Sequence, residues 1–231
     1  LTQIATYNIH RCIGGDGHYD PGRIRKVLQE IDADVVALQE VELFHEHPGL
    51  LDELTRGSEW RAIHDVTLRR SSGHYGNAVL TRLPVLAMER VDLSWPGREP
   101  RGALVLRLDS GHGVIGFVAT HLGLRPAERR EQVRRLLATM ERLDADGDEG
   151  CPLVLAGDLN EWLLWGRPLR WLRRRFLPTP SPATWPASRP VFALDRIWVS
   201  PRSRLVSIDV HDSPLARRAS DHRPLVARLE T

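Results

Sequence analysis

Apolar positions along the chain fall into two rhythms. From Arg23 to Ile31 they recur at Ile24, Val27, Leu28 and Ile31, the i, i+3, i+4, i+7 spacing of one helical stripe, with Pro21 near its start. Short apolar runs flank this stretch, Gln3–Ile9 before it and Asp34–Leu38 after it. The opening therefore reads strand, helix, strand, the unit that favours parallel strands under a covering helix. The middle reads as short strands at Arg61–Val66, Asn77–Thr81, Val85–Val91, Ala103–Leu108 and Val114–Thr120. Gly, Pro, Ser or Asp turns separate them, and residues 109–113 have the composition of a hairpin connection. A long helix is expected from Pro126 to Leu143, with Val133, Leu136, Leu137 and Met140 on one stripe and arginines opposite. Further strands follow at Pro152–Ala156, Leu194–Val199, Leu205–Val210 and Leu225–Leu229.

Between Trp162 and Pro190 the rhythm breaks, and Pro, Arg and Trp crowd in. A short helix from Pro168 to Phe176 and then a long loop are expected there; loops of that length in a compact domain usually serve function. No repeat or linker interrupts the chain, so one domain over residues 1–231 is the simplest division, with two sheets packed face to face and helices outside.

Composition narrows the classes. With 231 residues, 42% hydrophobic and 27% charged, the chain is ordinary globular protein. The formal charge of +2 announces no polyanion partner. Lys26 is the one lysine beside many arginines, a bias that suits phosphate recognition and equally suits an Arg-rich genome. Cys12 and Cys151 stand far apart in no metal-ligand spacing, which fits a reduced, cytoplasmic setting. No apolar run reaches membrane-spanning length, and no signal pattern opens the chain. It begins on Leu1, not Met, which leaves room for an upstream segment. A monomer is expected.

The chemistry gathers at strand ends. Asn8 ends the first apolar run, Glu40 the second, His121 follows residues 118–120, and Asp158 and Asn160 follow residues 153–156. Asp221 and His222 precede the last strand. Any one of these is a common turn former; their repeated placement is the signal, because ligands collect where strand ends converge. Glu40 and Asp221 are hard oxygen donors, Asn8 can add an amide oxygen, and together they suit Mg²⁺, with Mn²⁺ as a substitute. Asp158 and Asn160 can orient a water and a phosphate, and His121 and His222 can move protons near neutrality. Asp195 can hold a histidine in the required tautomer.

Seven segments, Thr6–His10, Leu38–Val41, Tyr75–Ala78, Thr120–Leu122, Gly157–Asn160, Leu194–Ile197 and Ser220–Pro224, resemble in order the motifs of the endonuclease/exonuclease/phosphatase (deoxyribonuclease I-like) superfamily. The resemblance implies an α/β fold, a four-layer sandwich of two packed mixed β-sheets flanked by helices. It also implies a metal-dependent phosphoesterase, with Asn8, Glu40 and Asp221 at the metal. Asp158 would orient or deprotonate the water, and Asn160 would hold the phosphate. His222 would contact the phosphate or act as base, with Asp195 as its partner. His121 would stabilise the phosphate or protonate the leaving oxygen, and Asn77 would face the phosphate or stand just behind it. Thr120–Leu122 resembles the deoxyribonuclease I, sphingomyelinase and phosphoinositide-phosphatase branches, not the abasic-site repair branch.

The resemblance implies a phosphate-ester substrate, lipid or nucleic acid. Residues 162–177 hold three tryptophans and five arginines just after Asn160. They read as peripheral contact with an anionic membrane, as a nucleic-acid surface, or as an ordinary helix with Leu169, Leu172 and Phe176 inward. A non-catalytic phosphate-binding module is the alternative of another class. His18 and His74 are candidates for the mouth of the site, and His45, His47, His64 and His112 read as loop histidines.

Overall fold

Along β1 (Thr2–Asn8) side chains alternate between two buried clusters, Ala5 and Tyr7 in one and Ile4 in the other, as a pleated strand requires. The computed structural model, which describes residues 1–44, 49–70, 73–145 and 151–231, builds two sheets from such strands; His45 and His47 lie outside the described residues. Helix α1 (Pro21–Ile31) starts at Asp20, whose carboxylate accepts the Arg23 backbone N–H. It buries Ile24, Val27, Leu28 and Ile31, the stripe read from the sequence. The chain returns as β2 (Val35–Phe44), parallel to β1.

The remaining strands are β3 (Arg61–Arg70), β4 (Gly73–Thr81), β5 (Val85–Asp92), β6 (Gly102–Asp109), β7 (Val114–His121), β8 (Leu153–Asp158), β9 (Asp195–Ser200), β10 (Leu205–Val210) and β11 (Leu225–Leu229). The remaining helices are α2 (Leu50–Thr55), α3 (Pro126–Ala145), α4 (Arg167–Phe176) and α5 (Ala216–Ala219). One sheet has six strands in the order β10-β11-β1-β2-β4-β3, the other five in the order β5-β6-β7-β8-β9. Three apolar layers hold them together. Leu28 of α1, Leu54 of α2 and Ala216 of α5 pack on Tyr7, Val36 and Leu38. Between the sheets Ile4, Val35 and Val79 meet Leu104, Phe117, Val154 and Ile197. Outside the second sheet Leu136 and Met140 of α3, with Leu169, Leu172 and Phe176 of α4, cover Val118, Leu155 and Trp198. This is the expected four-layer sandwich.

One expectation needs correction. Glu40 does not end a strand: β2 runs on to Phe44 through a register shift between Leu38 and Val41. The ends that matter are those of β1, β7 and β8. β1 packs across the interface against β8, and parallel pairing of β7 with β8 sets His121 beside Asp158. Among the described residues no helix is long and apolar enough to cross a membrane.

Candidate active site

Asp158 closes β8, and Gly157 makes its position available. A Cβ on Gly157 would lie 1.9 Å from the Thr120 carbonyl oxygen, so only glycine lets β7 and β8 approach this closely. The chain then turns through Asn160 at φ 49°, a left-handed conformation that Asn tolerates. The turn is tied by the Asn160 backbone N–H donating to Asp158 Oδ1 at 2.9 Å. In this motif glycine permits the approach, aspartate faces the cleft and asparagine supplies the turn.

The six-stranded sheet reaches the same point through Asn8 and Glu40. Asn8 Nδ2 donates to Asp158 Oδ2 at 3.1 Å and to Glu40 Oε1 at 3.2 Å. Its Oδ1 is engaged by the His10 backbone N–H at 3.0 Å. Asn8 thus presents donors to the carboxylates, and the oxygen expected to bind metal is turned away. Glu40 arrives by the β2 irregularity: Val35 and Ala37 face the second sheet, and strict alternation would send Glu40 toward α1. With φ 56° at Glu40, the bulge re-aims it into the cleft.

His222 is held by three contacts. Ser220 Oγ donates to the Asn8 carbonyl at 2.7 Å and accepts the His222 N–H at 3.2 Å, pinning this turn to the end of β1. His222 Nδ1 lies 2.7 Å from Asp195 Oδ2, and Thr184 Oγ1 donates to that same oxygen at 2.5 Å. His222 Nε2 is left facing Asp158 Oδ2 at 3.8 Å. Burial lowers the proton affinity of His222, but Asp195, then Asp158 and Asp221, outweigh it and raise it above the ordinary imidazole value. Burial raises Asp158 above the carboxylate range, with Asp195 adding to the shift and His222 opposing it.

His121 stands between two donors, Arg101 Nη1 at 3.3 Å from Nδ1 and Asn160 Nδ2 at 3.0 Å from Nε2. Neither can accept, which disfavours a second ring proton. Burial, then Arg101 and His222, push its proton affinity well below the usual value. His121 is therefore neutral beside the more basic His222.

Glu40, His121, Asp158, Asn160, Asp221 and His222 line a cleft of about 370 Å³ together with Leu124, Trp162 and Trp185, while Asn8 and Asp195 stand behind its lining. Sequence reasoning had not singled out several residues here. Arg101 is buried, paired with Glu99 at 2.8 Å, and aimed at His121. Trp185 Nε1 donates to Asp221 Oδ2 at 3.2 Å, and its ring belongs to a cluster with Trp162 and Phe192. Arg101 is lost among the many arginines, and Thr184 and Trp185 sit in the stretch where periodicity fails. Asn77 does not line the cleft. Its amide donates at 3.2 Å to the Gly102 carbonyl, as the Thr120 hydroxyl does at 3.1 Å, which positions the strand next to Arg101. His18, His64, His74 and His112 also lie off the cleft lining.

The donor set fits a hard divalent cation. Glu40 pairs with no basic side chain among the described residues, and Asp221 is only partly buried beside it in the cleft. Asp158, Asp195 and His222 also bring one ligand atom each within 4.8 Å of one another. Asp195 Oδ1 in that group is buried without a hydrogen-bond partner among the described residues. Such lone pairs need a donor or a cation.

The model of the endonuclease/exonuclease/phosphatase family matches residues 5–222. The uncharacterized protein YbhP of Escherichia coli K12 is 31% identical over 98% of this chain and 95% of its own. The crystal structure of an endonuclease/exonuclease/phosphatase from Beutenbergia cavernae superposes with a TM-score of 0.74 at 25% identity, covering 99% of this chain and 71% of that one. The Bacteroides thetaiotaomicron mannosyl-6-phosphatase Bt3783 shares the fold over the full length of both chains, with a TM-score of 0.73 at 17% identity.

Proposed function

Because the chain belongs to the endonuclease/exonuclease/phosphatase family, whose members hydrolyse phosphate esters and generally depend on a divalent metal, we propose that it is a Mg²⁺-dependent phosphodiesterase working by in-line attack of water. The observation that carries this reading is the meeting of Asp158, His121 and His222 in one cleft, with Asp195 behind His222.

Each side chain has a role that its contacts support. Asp158, oriented by Asn8 and by the Asn160 N–H, aligns the attacking water and takes its proton. His222, with Nδ1 committed to Asp195, offers Nε2 to a phosphoryl oxygen. Asn160 Nδ2, which donates to His121 Nε2 and to the Leu122 carbonyl, would exchange the first of these for a phosphoryl oxygen, and His121, backed by Arg101 at Nδ1, would meet the phosphate through the freed Nε2. Glu40 and Asp221 would hold Mg²⁺ or Mn²⁺, and Asn8 would steer their side of the cleft. When bound, the cation supplies charge neutralisation at the phosphate.

The test uses bis-p-nitrophenyl phosphate and p-nitrophenyl phosphate side by side with Mg²⁺. EDTA is expected to abolish diester turnover, and Asp158→Ala and His222→Ala to lower kcat by about 10²–10⁴-fold with the fold intact. Full activity in either variant would overturn the residue roles. Preference for the monoester would move the reading from diesterase to phosphatase. Tight phosphate binding without turnover of either compound would make the chain a binding module.

A further inference from the structure

The segment after Asn160 divides into two parts with different surroundings. Helix α4 is an ordinary covering helix, with Pro168, Leu169, Leu172 and Phe176 buried. The four residues before it behave oppositely: Trp162, Leu163, Leu164 and Trp165 are all exposed, Trp165 to 70%. Isolated exposed apolar side chains need no explanation, but a continuous run of four does.

This exposure is built into the loop. Beneath it Glu161 is buried and paired with Arg129, whose Nε lies 3.2 Å from Oε2. Glu161 Oε1 accepts the Leu163 N–H at 3.2 Å, and the Gly166 N–H donates to the Leu163 carbonyl at 2.8 Å. The loop is tied down at both ends with its apolar side chains outward. It also borders the cleft, whose lining includes both Trp162 and Leu124, the latter 64% exposed.

We propose that residues 162–165 seat the protein on an anionic phospholipid surface and that the adjoining cleft takes a phosphodiester from that surface. Two observations select this occupant. Leu163 and Leu164 carry neither a ring to stack on a base nor a polar group to bond one, so they gain only from an apolar medium, while Trp residues sit at headgroup depth. The charge that follows them along the chain is complementary to lipid phosphate: from Leu159 to Leu177 the single acid is the buried Glu161, whereas Arg167, Arg170 and Arg174 on α4 are exposed. The substrate assignment rests on the phosphodiesterase reading above; the surface contact does not. In the reaction the oxygen of water joins phosphorus, the bond from phosphorus to one alcohol oxygen breaks, and that alcohol leaves carrying a proton, giving a phosphomonoester.

The experiment compares wild type with a Leu163→Ser/Leu164→Ser/Trp165→Ser variant, none of whose changed residues lines the cleft. Four measurements are made: sedimentation with vesicles of phosphatidylcholine, alone or mixed with phosphatidylglycerol; hydrolysis of the vesicle phosphatidylglycerol; retention of a single-stranded oligonucleotide; and turnover of bis-p-nitrophenyl phosphate. Wild type is expected to favour the mixed vesicles. The variant is expected to lose at least about tenfold in binding and in lipid hydrolysis, with turnover of the soluble diester unchanged. Wild type that turns over the soluble diester yet ignores vesicles would overturn the inference, as would a variant that sediments like wild type. So would a variant whose only loss is retention of single-stranded oligonucleotide. Loop-dependent vesicle binding without hydrolysis of any diester would instead sink the phosphodiesterase reading and leave the surface contact standing.

Discussion

His64 lies on β3 with its Nε2 buried and without a hydrogen-bond partner among the described residues. Burial, then His74 and Arg90, push its pKa down from the ordinary imidazole value to about 4. Between those values His64 binds more protons in the unfolded chain than in the folded one, so its contribution to stability falls as the pH drops through that window. His121, lowered by its own burial, adds a loss of the same sign. His64→Phe should therefore lose less stability than wild type on acidification from neutrality, read as urea midpoints along the pH series; identical slopes would refute the assignment. The same scale shows what a sequence can reveal about a site. Asp158, Asn160 and His222 stood out because each follows or precedes an apolar run. Arg101, against His121, and Thr184, against Asp195, carry no local sign of their part in the site, since their roles come from contacts with residues distant in sequence.

Periodicity exposed the long elements because burial enforces it. The stripe of α1 is legible as Ile24, Val27, Leu28 and Ile31, all of which are buried. α2 and α5, with six and four residues, are too short to complete such a stripe. The bulge in β2 is hidden for another reason: it is a mismatch with β4, a property of two strands and not of one. The β7–β8 pair makes the sharpest demand on a single residue. In Gly157→Ala the new Cβ would strike the Thr120 backbone carbonyl, which cannot swing aside as a flexible side chain can. The expected cost is about 3 kcal/mol or more, with lost activity as His121 and Asp158 separate. A thermal midpoint within a degree or so of wild type would show that the strands yield more easily than their packing implies.

The sandwich as a whole brings its two sheets together so that each supplies part of the cleft. Glu40, oriented by Asn8, comes from the six-stranded sheet, His121 and Asp158 from the five-stranded one, and Asp221 from the turn before β11. The order of motifs made this architecture readable, whereas the exposed loop at 162–165 became visible only when burial separated it from α4. A cation held by Glu40 and Asp221 would find its ligands together only in the folded chain, so binding must stabilise the fold by mass action. At a free Mg²⁺ concentration a hundredfold above Kd the gain is about 2.7 kcal/mol. For a chain of this size that corresponds to a rise of roughly 5–10 °C in midpoint. Glu40→Gln and Asp221→Asn should each remove most of that rise while folding normally in EDTA. Scanning calorimetry with EDTA, Mg²⁺ and Mn²⁺ separates the outcomes. An equal rise in all three proteins would place the cation elsewhere, with Asp158, Asp195 and His222 as the next ligands to test. No rise in wild type at millimolar Mg²⁺ would mean that the ion joins only with substrate.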